Sequence, residues 1–261
     1  MTSRVIYSLY IDIQNPVSHF ANKNKFNDNY EWLLNKQKKY SELCGVEYKH
    51  FTYDNQFIKY SKKFNKNISE YNIINFYKIY LMYKLSKEYD EILYLDLDVV
   101  PVTQLNFFEE WDLSKGIAVM SEEWRLRDHH RTRHNIRSPL AKYWNAYALL
   151  GYSKEVFNTG IIGANKESLK ELDYFKDFDK TLERMKQLIN DDFWPEDIRN
   201  LFGYDNETIF ACRIKKYQQL FGTGWHHFMD KWSFIPKGTK FVHCISKDFE
   251  YVRNWCEKNS L

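Results

Sequence analysis

The chain has few cysteines, glycines and prolines. Its 261 residues include four cysteines, nine glycines and five prolines. The cysteines are scattered, with no Cys-x-x-Cys spacing and no secretion signal, which predicts a reducing, cytoplasmic environment and no disulfide framework. Because no stretch rich in Pro, Gly or Ser separates one part of the chain from another, we expect a single domain over residues 1–261.

Long apolar runs are also absent. A membrane-spanning helix needs roughly 20 apolar residues in a row, and no segment of the chain approaches this length. The apolar segment Val5–Ile13 contains Asp12 and lacks a small-residue cleavage site. We therefore predict a strand there rather than a signal peptide or a transmembrane segment.

The first half of the chain alternates between strand and helix patterns. A capping residue, Ser69, and apolar residues at helical spacing predict a helix over Ser69–Lys87. A β-α-β-α-β order indicates an α/β fold with a mostly parallel central sheet flanked by helices, and ligands of such sheets bind beyond the carboxyl ends of the strands. The other predicted elements are strands at Arg4–Ile13, Val46–Tyr53, Ile92–Leu95 and Gly116–Met120 and a helix at Asn27–Leu43.

Asp96 and Asp98 follow the apolar run Ile92–Leu95. Alternate residues of a strand point to the same side, so the two carboxylates are expected to converge where the strand ends. Two carboxylates this close repel unless a cation lies between them, and carboxylate oxygens suit Mg²⁺ or Mn²⁺. An ion with open positions can hold a diphosphate, which is typical of enzymes that use nucleotide-sugars. The alternative is a solvated pair of loop carboxylates.

Arginine is scarce and unevenly placed. The chain has ten arginines, and five of them fall within residues 125–137. Residues 121–142 hold five Arg and one Lys against two Glu and one Asp, so they carry the whole net charge of +3. Clustered arginine is typical of sites that bind phosphate groups. We call residues 125–137 the arginine segment, and its arginines are Arg125, Arg127, Arg131, Arg133 and Arg137.

Five short motifs follow one another along the chain: Val5–Asp12, Tyr94–Asp98, Phe157–Asn165, Asp205–Phe210 and Val242–Lys247. Together they resemble the nucleotide-sugar glycosyltransferases with the single Rossmann-like, type A fold. They are similar in particular to the retaining family that includes bacterial lipopolysaccharide galactosyltransferases and glycogenin.

The resemblance implies a nucleotide-sugar donor, with a UDP-sugar favoured, and a Mn²⁺ or Mg²⁺ cofactor. It implies that His243 is a third metal ligand beside Asp96 and Asp98, although a buried structural histidine is an equal alternative. Residues 1–120 would form the nucleotide-binding half. Residues 121–261 would bind the acceptor and complete the metal site.

Seven residues are expected to bind the nucleotide-sugar. An aromatic ring can stack on the base, and carboxylates can accept hydrogen bonds from the ribose or base. Lysines can pair with phosphates, and glycine lets a sugar approach the backbone closely. Each residue also has an ordinary explanation, as core, solvated surface or turn. Tyr10 is the candidate for stacking on the base, and Asp12 and Asp54 are those for the hydrogen bonds to ribose or base. Lys78 and Lys247 are the candidates for the phosphates, and Asn158 with Gly160 those for the close approach of the sugar.

Asp205 and Glu207 stand at a predicted helix start, where capping alone explains a carboxylate. An inverting transfer needs a carboxylate base at the acceptor hydroxyl, and a retaining one needs a polar group near the reacting face of the sugar. Glu207 is favoured over Asp205 for the catalytic role.

The sequence therefore predicts a metal-dependent glycosyltransferase whose acceptor is a glycan, a lipid-linked saccharide or a small molecule. The alternative is a phage-type enzyme that glycosylates hydroxymethylated DNA bases, with the arginine segment bound to the phosphates. The arginine segment has two other interpretations, a lid that closes on the donor diphosphate or a solvated loop. A third class is a non-catalytic protein that binds sugar-nucleotides, and the intact aspartate pair argues against it.

Overall fold

A computed structural model describes residues 2–12, 23–123, 126, 137–220, 235, 238–244 and 247–259. Eight strands and ten helices have their bounds within these ranges. The strands are β1 (Arg4–Leu9), β2 (Glu47–Phe51), β3 (Glu91–Asp96), β4 (Val99–Pro101), β5 (Ile117–Ser121), β6 (Phe157–Asn165), β7 (Tyr217–Gln219) and β8 (Phe241–His243). The helices are α1 (Lys23–Cys44), α2 (Asn55–Ser61), α3 (Glu70–Leu85), α4 (Phe107–Glu110), α5 (Arg137–Leu150), α6 (Lys166–Leu172), α7 (Phe178–Ile189), α8 (Glu196–Arg199), α9 (Asn206–Arg213) and α10 (Phe249–Lys258).

Six strands form the central sheet in the order β2-β1-β3-β6-β5-β7. β1 runs parallel to β2 and β3, and β5 runs parallel to β7, whereas β6 runs antiparallel to both of its neighbours. Five strands thus share one direction, which confirms the predicted mostly parallel sheet. Because β1 and β3 are parallel and Leu9 lies opposite Asp96, their carboxyl ends meet at one edge.

A second sheet of two strands completes that edge. β4 pairs antiparallel with β8, so that Val99 lies opposite His243. The ladder continues past the strand end, where the Cys244 N–H donates to the Asp98 carbonyl at 2.8 Å. This pairing carries residues from late in the chain to the side of the two aspartates.

Helices cover both faces of the central sheet. Alternate residues of β1 face opposite layers: Tyr7 packs in the cluster that holds Phe76 of α3, and Ile6 packs in the cluster that holds Tyr40 of α1. α3 begins as predicted, because the Ser69 hydroxyl accepts a hydrogen bond from the third residue of the helix.

The predicted boundaries differ in detail from those in the structure. α1 begins at Lys23 rather than Asn27 and ends at Cys44, where Gly45 adopts a φ of 65°. α5 begins at Arg137, the last residue of the arginine segment. Within the described ranges, no helix combines the length and apolar composition that spanning a membrane requires.

Candidate active site

A cleft of about 720 Å³ opens at the carboxyl edge of the sheet. Its floor is the end of β1 and the turn between β3 and β4. One wall is a face of α3, and the opposite wall is α5 with the start of α9. The residues that line it include Tyr10, Asp12, Asn72, Asn75, Lys78, Asp96, Asp98, Glu122, Lys142, Asn145, Asn158, Asp205, Asn206, Glu207, His243 and Lys247.

Asp96, Asp98 and His243 form the one group in the described part of the chain with metal-ligand geometry. One ligand atom from each lies within 4.8 Å of the others. His243 Nε2 is 3.8 Å from Asp96 Oδ2 and 3.5 Å from Asp98 Oδ1. The sequence predicted convergence along one strand, but Asp98 lies in the turn after β3. The turn, rather than strand alternation, therefore brings the carboxylates together.

The second oxygen of each aspartate lies beside the ammonium group of a lysine. Asp96 Oδ1 accepts a hydrogen bond from the Tyr94 hydroxyl and lies 3.5 Å from Lys78 Nζ. Asp98 Oδ2 pairs with Lys247. Burial alone would raise the pKa of Asp98, but Lys247 and His243 outweigh it, so that its pKa lies well below the usual range. Each carboxylate thus keeps one oxygen directed toward His243 Nε2.

This donor set fits a hard divalent cation. Two carboxylate oxygens and one imidazole nitrogen are ligands that Mn²⁺ accepts readily, and Mg²⁺ is held by similar carboxylate sets. His243 is buried, and its Nδ1 has no hydrogen-bond partner among the described residues. The imidazole therefore presents only Nε2 to the polar side of the site.

Gly160 makes the space that His243 occupies. A Cβ at position 160 would lie 2.4 Å from His243 Cε1 and 2.8 Å from Nδ1. The Gly160 N–H donates to Asn158 Oδ1 at 3.0 Å. The structure therefore gives Gly160 a role beside the imidazole, while its predicted closeness to the donor sugar stays a prediction.

Lys142 was missed by the sequence reasoning, although it lies at the centre of the opposite wall. Its Nζ is 2.5 Å from Glu122 Oε2, 2.5 Å from Glu207 Oε2 and 3.1 Å from the Phe157 carbonyl. Burial alone would lower the pKa of Lys142, but Glu207 and Glu122 outweigh it and hold its pKa above the usual value. The only sequence signal was a lysine within an apolar helical segment.

The two predicted catalytic carboxylates have different surroundings. Asp205 caps α9, because its Oδ2 accepts hydrogen bonds from the Thr208 N–H at 2.7 Å and the Thr208 hydroxyl at 2.6 Å. Glu207 Oε1 accepts from the Thr159 N–H at 2.6 Å, and its Oε2 faces Lys142. Both residues line the cleft. Glu207 is thus held in one orientation by Thr159 and Lys142, and its catalytic role stays a prediction.

The predicted nucleoside contacts divide into two sets. Tyr10 and Asp12 line the cleft. The centroid of the Tyr10 ring is 5.5 Å from that of the Phe26 ring. Asp54 is not on the cleft wall, and its carboxylate caps α2 by accepting from the Phe57 N–H at 2.7 Å.

The arginine segment lies almost entirely outside the described residues. Arg137 begins α5, but the structure describes the backbone there and not the side chain. The other four arginines belong to residues that are not described. Their predicted contact with an acceptor or a diphosphate stays a prediction.

A mostly parallel sheet with an Asp-x-Asp turn at its carboxyl edge agrees with the glycosyltransferase of the type A fold that the sequence predicts. The chain belongs to glycosyl transferase family 8, since the model of that family matches residues 1–194 of the 261. No functionally curated protein matches the chain.

Solved structures of glycosyltransferases are similar to this chain at low sequence identity and with TM-scores below 0.5. A glycosyltransferase involved in glycosylation of the major capsid of PBCV-1 is 13% identical with a TM-score of 0.47, over 95% of this chain and 99% of that one. The galactosyltransferase LgtC is 14% identical with a TM-score of 0.44, over 82% and 72%. Mouse xyloside xylosyltransferase 1 is 12% identical with a TM-score of 0.43, over 84% and 85%. Membership of the family rests on the family model.

Proposed function

We propose that this glycosyltransferase takes its sugar from a nucleotide-diphosphate sugar, with a UDP-sugar as the first choice, and uses Mn²⁺ or Mg²⁺. The acceptor is proposed to be a hydroxyl of a glycan, a lipid-linked saccharide or a small molecule. The observation that carries this proposal is the set of three donor atoms, Asp96 Oδ2, Asp98 Oδ1 and His243 Nε2, at one point of the cleft.

The cleft has the size and the charges that a nucleotide-sugar requires. Its volume of about 720 Å³ falls within the usual range for small-molecule sites. When bound, the ion would neutralise the diphosphate and support its departure as a leaving group. Lys78 and Lys247 each contact one aspartate, so their ammonium groups lie where a diphosphate on that ion would come within reach.

The opposite wall supplies the groups for the sugar. In the transfer, the bond between the anomeric carbon and the diphosphate oxygen breaks, a bond to the acceptor oxygen forms, and the acceptor proton is released. Glu207 is held by Lys142 and Thr159, and Asn158 lies on the same wall. We assign Glu207 to orienting the sugar or acceptor, because a carboxylate held in one orientation gives directional hydrogen bonds.

The experiment is a screen of donor hydrolysis with UDP-, GDP-, ADP- and TDP-sugars, each with Mn²⁺ and with excess chelator. We expect hydrolysis of one donor class that chelator abolishes, and an Asp98→Asn variant that folds but loses about a hundredfold or more in rate. Asp112→Asn is the matched control, because Asp112 is half exposed in a surface turn away from the cleft. Full activity in chelator would refute the metal site.

DNA as the acceptor has one source of support, the composition of the arginine segment. An enzyme acting on a base in a duplex must also flip that base out of the stack. Retention of the protein on DNA that falls steeply with salt would favour this second acceptor.

A further inference from the structure

The buried side chain of Gln37 reaches from α1 to the turn that carries the aspartates. Its Nε2 donates to the Asp96 carbonyl at 2.9 Å and to the Val99 carbonyl at 2.9 Å. These two carbonyls flank the turn residues Leu97 and Asp98. Gln37 is fully buried, so neither hydrogen bond is exchanged for one to water. A single amide group therefore fixes both ends of the Asp-x-Asp turn.

The direction of the surrounding hydrogen bonds follows from this contact. Since the Gln37 amino group faces two carbonyls, its Oε1 faces the Tyr48 hydroxyl, which donates to it at 2.9 Å. Tyr48 then accepts from the Ser8 hydroxyl at 2.6 Å, and Ser8 accepts from His50 Nδ1 at 2.7 Å. His50 Nε2 is left to accept from the Tyr30 hydroxyl at 2.8 Å.

This order requires an uncharged His50. Burial, with a smaller contribution from the charge of Lys38, lowers the pKa of His50 to about 4. The imidazole is therefore neutral at physiological pH, with one nitrogen that donates and one that accepts. Every donor in the network points toward Gln37, and Gln37 points toward the turn.

We propose that Gln37, oriented by Tyr48, is a positioning residue that sets the separation of Asp96 and Asp98 for metal binding. The inference rests on the proposed function, because it concerns the same ion. The Cys244 N–H holds the Asp98 carbonyl from the other side. Without Gln37, the turn would keep this contact and the strand pairing on either side, but it would lose the hydrogen bonds to the Asp96 and Val99 carbonyls. The carboxylates would then be held less rigidly opposite His243 Nε2.

The test measures Mn²⁺ binding from the electron paramagnetic resonance signal of free Mn²⁺, with and without UDP, and the melting temperature of each variant. Gln37→Met keeps the size and removes the amide. Tyr40→Phe is the matched control, because Tyr40 is buried on the same helix and its hydroxyl donates to the Leu105 carbonyl at 3.0 Å, away from the turn.

We expect Gln37→Met to weaken Mn²⁺ binding roughly 10- to 100-fold, as loss of a group that orients metal ligands generally does. Tyr40→Phe should lower the melting temperature with Mn²⁺ affinity unchanged. Tyr48→Phe leaves the Gln37 amide in place and removes the hydroxyl that orients it, which is also the acceptor of the Ser8 hydroxyl, so it should fold where Gln37→Met does not. It should lose roughly 2- to 10-fold in affinity.

The outcomes separate this inference from the proposed function. If Gln37→Met bound Mn²⁺ with wild-type affinity, the amide would be merely structural, and this inference would fail while the proposed function stood. If Gln37→Met does not fold, wild-type affinity in Tyr48→Phe would have the same meaning. If the wild-type protein bound no Mn²⁺ under either condition, the proposed metal site would fail and this inference with it.

Discussion

Replacing Lys142 with Met should destabilise the protein strongly. Lys142 lies between Glu122 and Glu207, and the three side chains are 7%, 1% and 15% exposed. Removing one partner of a buried ion pair costs roughly 3–5 kcal/mol, because it leaves an uncompensated charge. For a domain of this size each kcal/mol lowers the melting temperature by about 2–4 °C, so a fall of roughly 6–20 °C is expected.

The pH of the assay follows from the pKa of Lys142. Its folded-state pKa lies above its ordinary value. The stabilisation is therefore fully present below the ordinary lysine pKa and is lost only as the pH rises through the folded-state value. Calorimetry at neutral pH measures the whole effect. Lowering the pH should restore part of the lost stability in Lys142→Met, since protonated glutamates carry no stranded charge.

Two variants control this prediction. Lys166→Met removes an ion pair to Asp90 at 2.8 Å whose side chains are 39% and 43% exposed, and such pairs contribute about 0–1 kcal/mol. Adding Glu122→Gln and Glu207→Gln to Lys142→Met removes the stranded charges and should recover stability. If Lys142→Met melted within a few degrees of Lys166→Met, the buried ionic group would not stabilise the fold as argued.

Three further outcomes are expected. Gly160→Ala places a Cβ 2.4 Å from His243 Cε1 and should cost about 1–3 kcal/mol and weaken Mn²⁺ binding. Gly203→Ala, whose Cβ would meet nothing within 4 Å, should change neither, and equal behaviour of the two would contradict the packing argument. Asp54→Ala should lose about 1 kcal/mol of stability through the lost cap with donor KM unchanged, whereas a raised KM would restore the predicted nucleoside contact. Alanine at positions 131, 133 and 137 of the arginine segment should impair acceptor use more than donor hydrolysis, and equal loss of both would favour a lid on the diphosphate.

Much of the fold could be predicted because its signals are local. The cap Ser69 and the apolar face of α3 lie within one segment, and both are found in the structure. The run that ends in Asp96 also predicted a strand and two close carboxylates. The reversed direction of β6 carries no local signal, because the same apolar residues suit a parallel or an antiparallel partner.

The rest of the site depends on contacts that a single sequence does not reveal. Lys142 and Gln37 are polar residues on helices, and nothing in the pattern distinguishes them from solvated ones. Both are buried, and their partners are set by how α5 and α1 pack on the sheet. The position of His243 depends on two strands of three residues each, which are too short for periodicity to define.

The family model covers only part of the candidate active site. That model ends at residue 194, so it includes both aspartates and Lys78 but not Glu207, His243 or Lys247. His243 and Lys247 reach the cleft because β8 pairs with β4, and because Val242 and Cys244 share one buried cluster with α10. The first part of the chain supplies six of the eight described strands, with the aspartates at the end of β3 and in the turn before β4, and the last part supplies the imidazole and the second lysine. It follows that the metal site can be lost by disturbing the β4–β8 pair while the central sheet stays intact.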